Sequence, residues 1–136
     1  MSDTQPTFYE QLGGEAEVRA LVDRFYDAMD TLPEAAEIRA MHPRNLQGSR
    51  DKLFEFLSGW LGGPPLYVEK RGHPRLRARH LPFAIGTPEA AAWMTCMAAA
   101  IEGLPDNVPQ LTRELLFSRL GQVAAFMRNR PGDGPG

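Results

Sequence analysis

The stretch Gly62-Gly63-Pro64-Pro65-Leu66-Tyr67, followed at Arg71 by Arg71-Gly72-His73-Pro74-Arg75-Leu76-Arg77-Ala78-Arg79-His80-Leu81-Pro82-Phe83, carries the reading of the chain. Two glycines and two prolines end any helix that precedes them. Pro74 can seed a short helix that runs to His80, and Pro82 closes it. On such a helix His73, Leu76 and His80 share a face, because residues three and four apart are neighbours. Only Leu66-Tyr67-Val68 has a strand-like pattern.

Working outward, the periodicity is helical on both sides. Val18, Leu21, Val22, Phe25, Tyr26 and Met29 form one apolar stripe on a helix over 15–31. Gly13-Gly14 separates it from a short first helix around Phe8 to Leu12. Pro33 opens a short helix through Ile38 to Met41, and Pro43 should stop it just after His42. A helix over 46–61 places Ser49, Leu53, Phe56 and Trp60 on one face. Thr87-Pro88-Glu89 reads as a helix start: a capping hydroxyl, a first-turn proline, and an acid facing the positive dipole end. That helix carries Trp93, Met97, Ile101 and Leu104. A last helix over 109–128 carries Leu116, Leu120, Val123 and Met127. The fold class is all-α, with one domain over 7–128. Residues 1–6 are expected to be loose, and 129–136, mostly Gly, Pro and charge, to be disordered.

Composition narrows the function. The chain has 136 residues, 15 Lys plus Arg against 17 Asp plus Glu, and a net charge of −2. No basic run suggests nucleic acid, and no uncharged stretch is long enough to suggest a membrane. The start, MSDTQPTFYEQ, lacks the features of a signal peptide. The single cysteine, Cys96, excludes an internal disulfide framework and fits a reducing compartment. A cytoplasmic protein is expected.

No phosphate loop, Cys-x-x-Cys or His-Glu-x-x-His motif is present. Cys96 beside Trp93 and Met97 reads as a small buried hydrophobe. Three histidines, His42, His73 and His80, are too few and scattered to favour zinc. Haem needs only one strong ligand from the protein and leaves its other face open for a gas. A histidine on the apolar face of a short helix suits that role, yet such a residue is more often simply packed, and the residues by themselves leave both readings open. Arg75, Arg77 and Arg79 could pair with propionates or line a solvated face. Tyr26, His42 and Trp93 each carry a polar hydrogen on a ring. They could be core residues with backbone partners or a ring of donors around a bound oxygen.

The Gly62–Tyr67 and Arg71–Phe83 segments closely resemble the stretch between the fifth and seventh helices of group II truncated haemoglobins. Ala92-Trp93-Met94-Thr95-Cys96-Met97 and Phe25-Tyr26 match that group too, and the resemblance runs from about Phe8 to Met127. It implies a two-over-two helical sandwich around haem b, with His80 as the proximal ligand. It makes Tyr26 the distal tyrosine of the second helix and Trp93 the tryptophan of the seventh. His42 falls at the position after the third helix, although the stretch from Tyr26 to His42 looks a few residues longer than in several relatives. Ser49 stands where ordinary globins keep a distal histidine, with Leu53 one turn on. Lys52, Arg79 and Tyr67 match propionate-holding positions. Phe56, Leu76, Phe83 and Met97 complete the implied wall.

The resemblance also implies reversible binding of dioxygen and other small diatomic ligands. One alternative is a redox enzyme acting on nitric oxide or peroxide. The sequence has no flavin or NAD module, so that activity would take electrons from an unidentified reductase. A cofactor-free helical interaction domain is the other alternative. Monomer and homodimer are both compatible with the sequence.

Overall fold

The computed structural model describes residues 6–129. Among them the regular elements are all helical: α1 (Phe8–Leu12), α2 (Glu15–Thr31), a 3₁₀ turn (Pro33–Ala35), α3 (Ala36–Ala40), α4 (Gln47–Trp60), α5 (Leu66–Arg71), α6 (Leu76–His80), α7 (Thr87–Glu102) and α8 (Gln110–Met127). The helices form two pairs. α2 packs on α4, α7 packs on α8, and α2 lies across α7. The stripe of α2 fills the centre, where Val18, Leu21, Val22, Phe25 and Met29 meet Cys96, Met97, Ala100, Leu116 and Leu120.

Local chemistry explains several boundaries. Thr7 caps α1 reciprocally with Glu10: the Glu10 N–H donates to the Thr7 hydroxyl at 3.1 Å, and the Thr7 N–H donates to Glu10 at 2.9 Å. α1 then lies on the end of α4, and a Cβ on Gly63 would run into the Tyr9 ring. Arg113 donates to the carbonyls of Ile101, Leu104, Pro105 and Val108, satisfying the C-terminal end of α7 and the turn that follows it.

Four expectations need correction. Leu66-Tyr67-Val68, the one strand-like stretch, begins helix α5, which packs on α4 with Leu66 half-buried, Tyr67 buried and Val68 exposed. Pro74 lies outside α6; the helix starts at Leu76 after Arg75, whose φ of 48° is left-handed and whose N–H donates to His73 Nδ1. Thr87 is not the cap of α7. Gly86 is, its N–H donating to Glu89 at 2.7 Å, while the Thr87 hydroxyl accepts from Arg128. Asn129 is docked rather than disordered, since its N–H donates to the Ile85 carbonyl at 2.8 Å. The expectations for residues 1–5 and 130–136 lie outside the described residues.

α4 is tied to α5 by a buried acid that the periodicity did not reveal. Glu55, 8 % exposed, accepts from Arg71 at 2.6 Å and from Lys70 at 3.2 Å. Hydrogen bonding from Arg71, reinforced by Lys70, holds its carboxyl below the usual range despite the opposing effect of desolvation. A depressed carboxylate contributes stability above its unfolded pKa, and that contribution is lost as pH falls through the folded one. Glu55→Gln is expected to cost about 1–2 kcal/mol at pH 7, between the limits for exposed and buried pairs. The cost should shrink toward zero as pH falls below about 4. Urea unfolding at the two pH values checks this, and a loss that persists undiminished in acid would refute it.

Candidate functional site

α4 has two apolar faces. Phe54, Leu57 and Leu61 are buried in the core. Leu53, Phe56 and Trp60 lie on another stripe and remain half-buried, with Ser49 at its start. A globular helix normally needs one such stripe, so a second one implies something apolar to cover it. α6 does not supply that cover, because its main helix contact is with α8. A cleft of about 350 Å³ lies between α1, α4, α6 and α8, lined by Phe8, Trp60, Leu76, Arg119, Gln122, Val123 and Phe126.

His80 is half-buried on α6, one turn beyond Leu76. Its Nδ1 lies 2.7 Å from the Leu76 carbonyl oxygen. A carbonyl can only accept, so Nδ1 carries the proton and donates. In the neutral ring this tautomer leaves the lone pair on Nε2, as a metal-binding imidazole requires. His73 is exposed, and its Nδ1 accepts from the Arg75 N–H. Of the two histidines beside α6, only His80 has the donor chemistry of a ligand on an apolar face.

A chain of aromatic rings lies on the α2–α7 side. Phe25, with no exposed surface, meets Tyr26 edge-on at 4.9 Å and Trp93 at 5.2 Å between centroids. Tyr26 meets His42 edge-on at 5.8 Å. The four rings brace one another, so Tyr26 and Trp93 are held by packing before any ligand arrives. Among the described residues, neither the Tyr26 hydroxyl nor the Trp93 indole N–H is engaged with a protein acceptor. Burial pushes the Tyr26 phenol well above its ordinary pKa, so it keeps its proton. The guanidinium of Arg50 lies 5.8 Å from the Tyr26 ring centroid and is itself held by Asp23 at 3.0 Å and Asp27 at 2.9 Å.

His42 differs from the expectation of a third donor. Its Nδ1 is 2.8 Å from the Ile38 carbonyl and therefore carries the proton. Burial lowers its pKa, and the charges of Arg39 and His80 act in the same direction. The neutral ring thus leaves Nε2 as an acceptor. With its Nδ1–H given to Ile38, the neutral ring packs edge-on against Tyr26 and offers its other side only the Nε2 lone pair.

The remaining expected residues scatter by degree. Leu53, Phe56 and Leu76 are half-buried and Phe83 is exposed. Met97 has no exposed surface and belongs to the core layer one turn beyond Trp93. Lys52 and Arg79 are exposed, and the Arg79 Nε donates to the Pro74 carbonyl at 2.9 Å. Tyr67 is buried, its ring 5.9 Å from the Arg71 guanidinium. Cys96 is sealed, and burial pushes its thiol up to about 11, far from a reactive thiolate. Sequence reasoning missed the buttressing role of Phe25, the Arg50 bridge and Asn129. An acidic pair at i and i+4, Asp23 and Asp27, was the legible trace of Arg50.

The donor set and the second apolar stripe of α4 fit haem: one imidazole nitrogen available to ligate, part-buried Leu53, Phe56 and Trp60 to cover an apolar plate, and an unengaged phenol O–H and indole N–H. Comparison with known proteins agrees. The bacterial-like globin family profile matches residues 7–129. The fold is similar to that of a cold-adapted truncated haemoglobin from the Antarctic bacterium Pseudoalteromonas haloplanktis TAC125, 48% identical, with a TM-score of 0.87 over 91% of this chain and 98% of that one. A group II two-on-two haemoglobin from Agrobacterium tumefaciens is 46% identical, with a TM-score of 0.87 over 95% and 98% of the two chains. A truncated oxygen-avid haemoglobin from Bacillus subtilis is 41% identical, with a TM-score of 0.81 over 90% and 99%. The chain belongs to the bacterial-like globin family and is a truncated, haem-b-holding globin of the two-on-two fold.

Proposed function

We propose that this globin binds dioxygen reversibly and releases it slowly, with His80 as its proximal ligand and Tyr26 and Trp93 as distal donors. The observation that carries the reading is the hydrogen bond from His80 Nδ1–H to the Leu76 carbonyl, 2.7 Å, which leaves Nε2 to ligate. When in place, haem supplies the reversible binding of dioxygen and other small diatomic molecules. The chain's own residues set how long the ligand stays. Tyr26 and Trp93 offer protons from positions fixed by Phe25, so little reorganisation opposes the hydrogen bonds they make. His42 closes the space beside Tyr26. Ser49, small and half-buried at the start of the α4 stripe, leaves a route for the ligand and room for a water. Leu53, Phe56, Leu76 and Phe83 would cover the apolar plate, and Lys52 and Arg79 would meet its propionates. The similarity to an oxygen-avid haemoglobin from Bacillus subtilis supports oxygen binding.

The buried, unpaired Cys96 supports a cytoplasmic location. An outside reductase would keep the protein in its ferrous form. The test is an anaerobic one. The reduced protein should show a five-coordinate ferrous spectrum, convert on adding oxygen, and return on its removal. A protein that stays colourless after haem is supplied, or that oxidises irreversibly on first contact with oxygen, would contradict the proposal.

A further inference from the structure

α6 is five residues long, far below the length at which a helix is stable alone. Ala78, Arg79, Leu81 and Pro82 around it are exposed, and its main packing partner is α8. Something must therefore hold the backbone from which the His80 ring projects. Directly past α8, where Arg128 turns to an extended conformation, Asn129 meets this segment with both side-chain atoms and its backbone. Its Nδ2 donates to the His80 carbonyl at 3.0 Å. Its Oδ1 accepts from the Ile85 N–H at 3.0 Å, and its own N–H donates to the Ile85 carbonyl at 2.8 Å. The His80 carbonyl also accepts from the Phe83 N–H at 3.0 Å, so Asn129 closes a tight loop that begins at the ligand residue itself. Beside it, Arg128 donates to the Thr87 hydroxyl at 2.9 Å, tying the same strand of chain to the start of α7.

We propose that Asn129 is a positioning residue for the proximal ligand: its carboxamide clamps the backbone of His80 and Ile85 and thereby sets the orientation of the His80 ring. The inference rests on His80 being the proximal ligand. His80 is held at two places, its ring Nδ1 by Leu76 from within α6 and its backbone carbonyl by Asn129 from outside it. The first bond fixes which nitrogen ligates. The second fixes where the whole short helix stands relative to α8. Only a residue with a donor and an acceptor on one planar group can serve both the carbonyl of His80 and the N–H of Ile85, and asparagine does so at this reach.

Two variants of the haem-loaded protein separate this from simple tethering. Asn129→Asp keeps an acceptor for the Ile85 N–H but loses the donor and sets a carboxylate against the His80 carbonyl. Asn129→Ala loses both. In the ferrous protein the iron–histidine stretching band, read by resonance Raman, should shift or broaden in both variants. Amide exchange over Leu81–Ile85 should quicken by roughly fivefold, the equivalent of one net hydrogen bond. Circular dichroism should show the helix content kept. If Asn129→Ala does not retain haem, Asn129→Asp decides. A band of wild-type position and width in Asn129→Asp overturns the positioning role while leaving His80 as ligand. A wild-type protein with no iron–histidine band removes the His80 assignment, and the role of Asn129 with it.

Discussion

Oxygen should leave the Tyr26→Phe variant about ten- to a hundredfold faster than the wild type, because a hydrogen bond to a charged acceptor is worth about 1.5–3 kcal/mol. Haem, when bound, would hold a ligand that carries negative charge, and a phenol that keeps its proton would be a strong donor to it. Tyr26 is such a phenol: 6 % exposed, its ionisation opposed by burial, its ring gripped by Phe25 and His42. Phenylalanine preserves the ring contacts and removes only the hydroxyl. Trp93→Phe should also accelerate release, since it deletes the indole N–H while keeping the edge contact with Phe25. The two effects should fall short of adding, because both groups would donate to one small molecule. Stopped-flow oxygen dissociation on the single and double mutants measures this. Rates within about twofold of wild type, or ~0.4 kcal/mol, would reduce both residues to packing.

That distinction shows where sequence reading stops. The stripe from Val18 to Met29 and the breaks at Gly13-Gly14, Gly62-Gly63-Pro64-Pro65 and Pro82 are local patterns, so the long helices could be read almost to their ends. α5 could not. Leu66-Tyr67-Val68 is too short for a strand period and a helical turn to differ, and its packing on α4 decides the matter. The cap of α7 is Gly86, its N–H given to Glu89, while the Thr87 hydroxyl accepts from Arg128, 41 residues away in sequence. His80 stood out through histidine scarcity and its surroundings. The proton on its Nδ1 and the matching one on His42 are set by the Leu76 and Ile38 carbonyls, four residues back in each case. A donor and an acceptor imidazole look the same in a sequence. The Asn129 clamp likewise joins positions 44 and 49 residues apart.

The second large effect concerns His80 itself. His80→Ala should speed haem loss by more than the roughly ten- to hundredfold typical of losing a partner outside the ligand shell, since it removes the proposed ligand itself. The helices should persist, because the core around α2, α7 and α8 does not include His80. His73→Ala should change little: His73 is exposed, and its Nδ1 is engaged with the Arg75 N–H. Haem transfer to an acceptor protein gives the rates.

The most direct measurement compares ferrous resonance Raman spectra of the wild type, His73→Ala and His80→Gly. The expected result is an iron–histidine band in the first two, its loss in His80→Gly, and its return when free imidazole fills the space that glycine leaves. A band that survives in His80→Gly without imidazole, or one that disappears in His73→Ala, would contradict His80 as the proximal ligand.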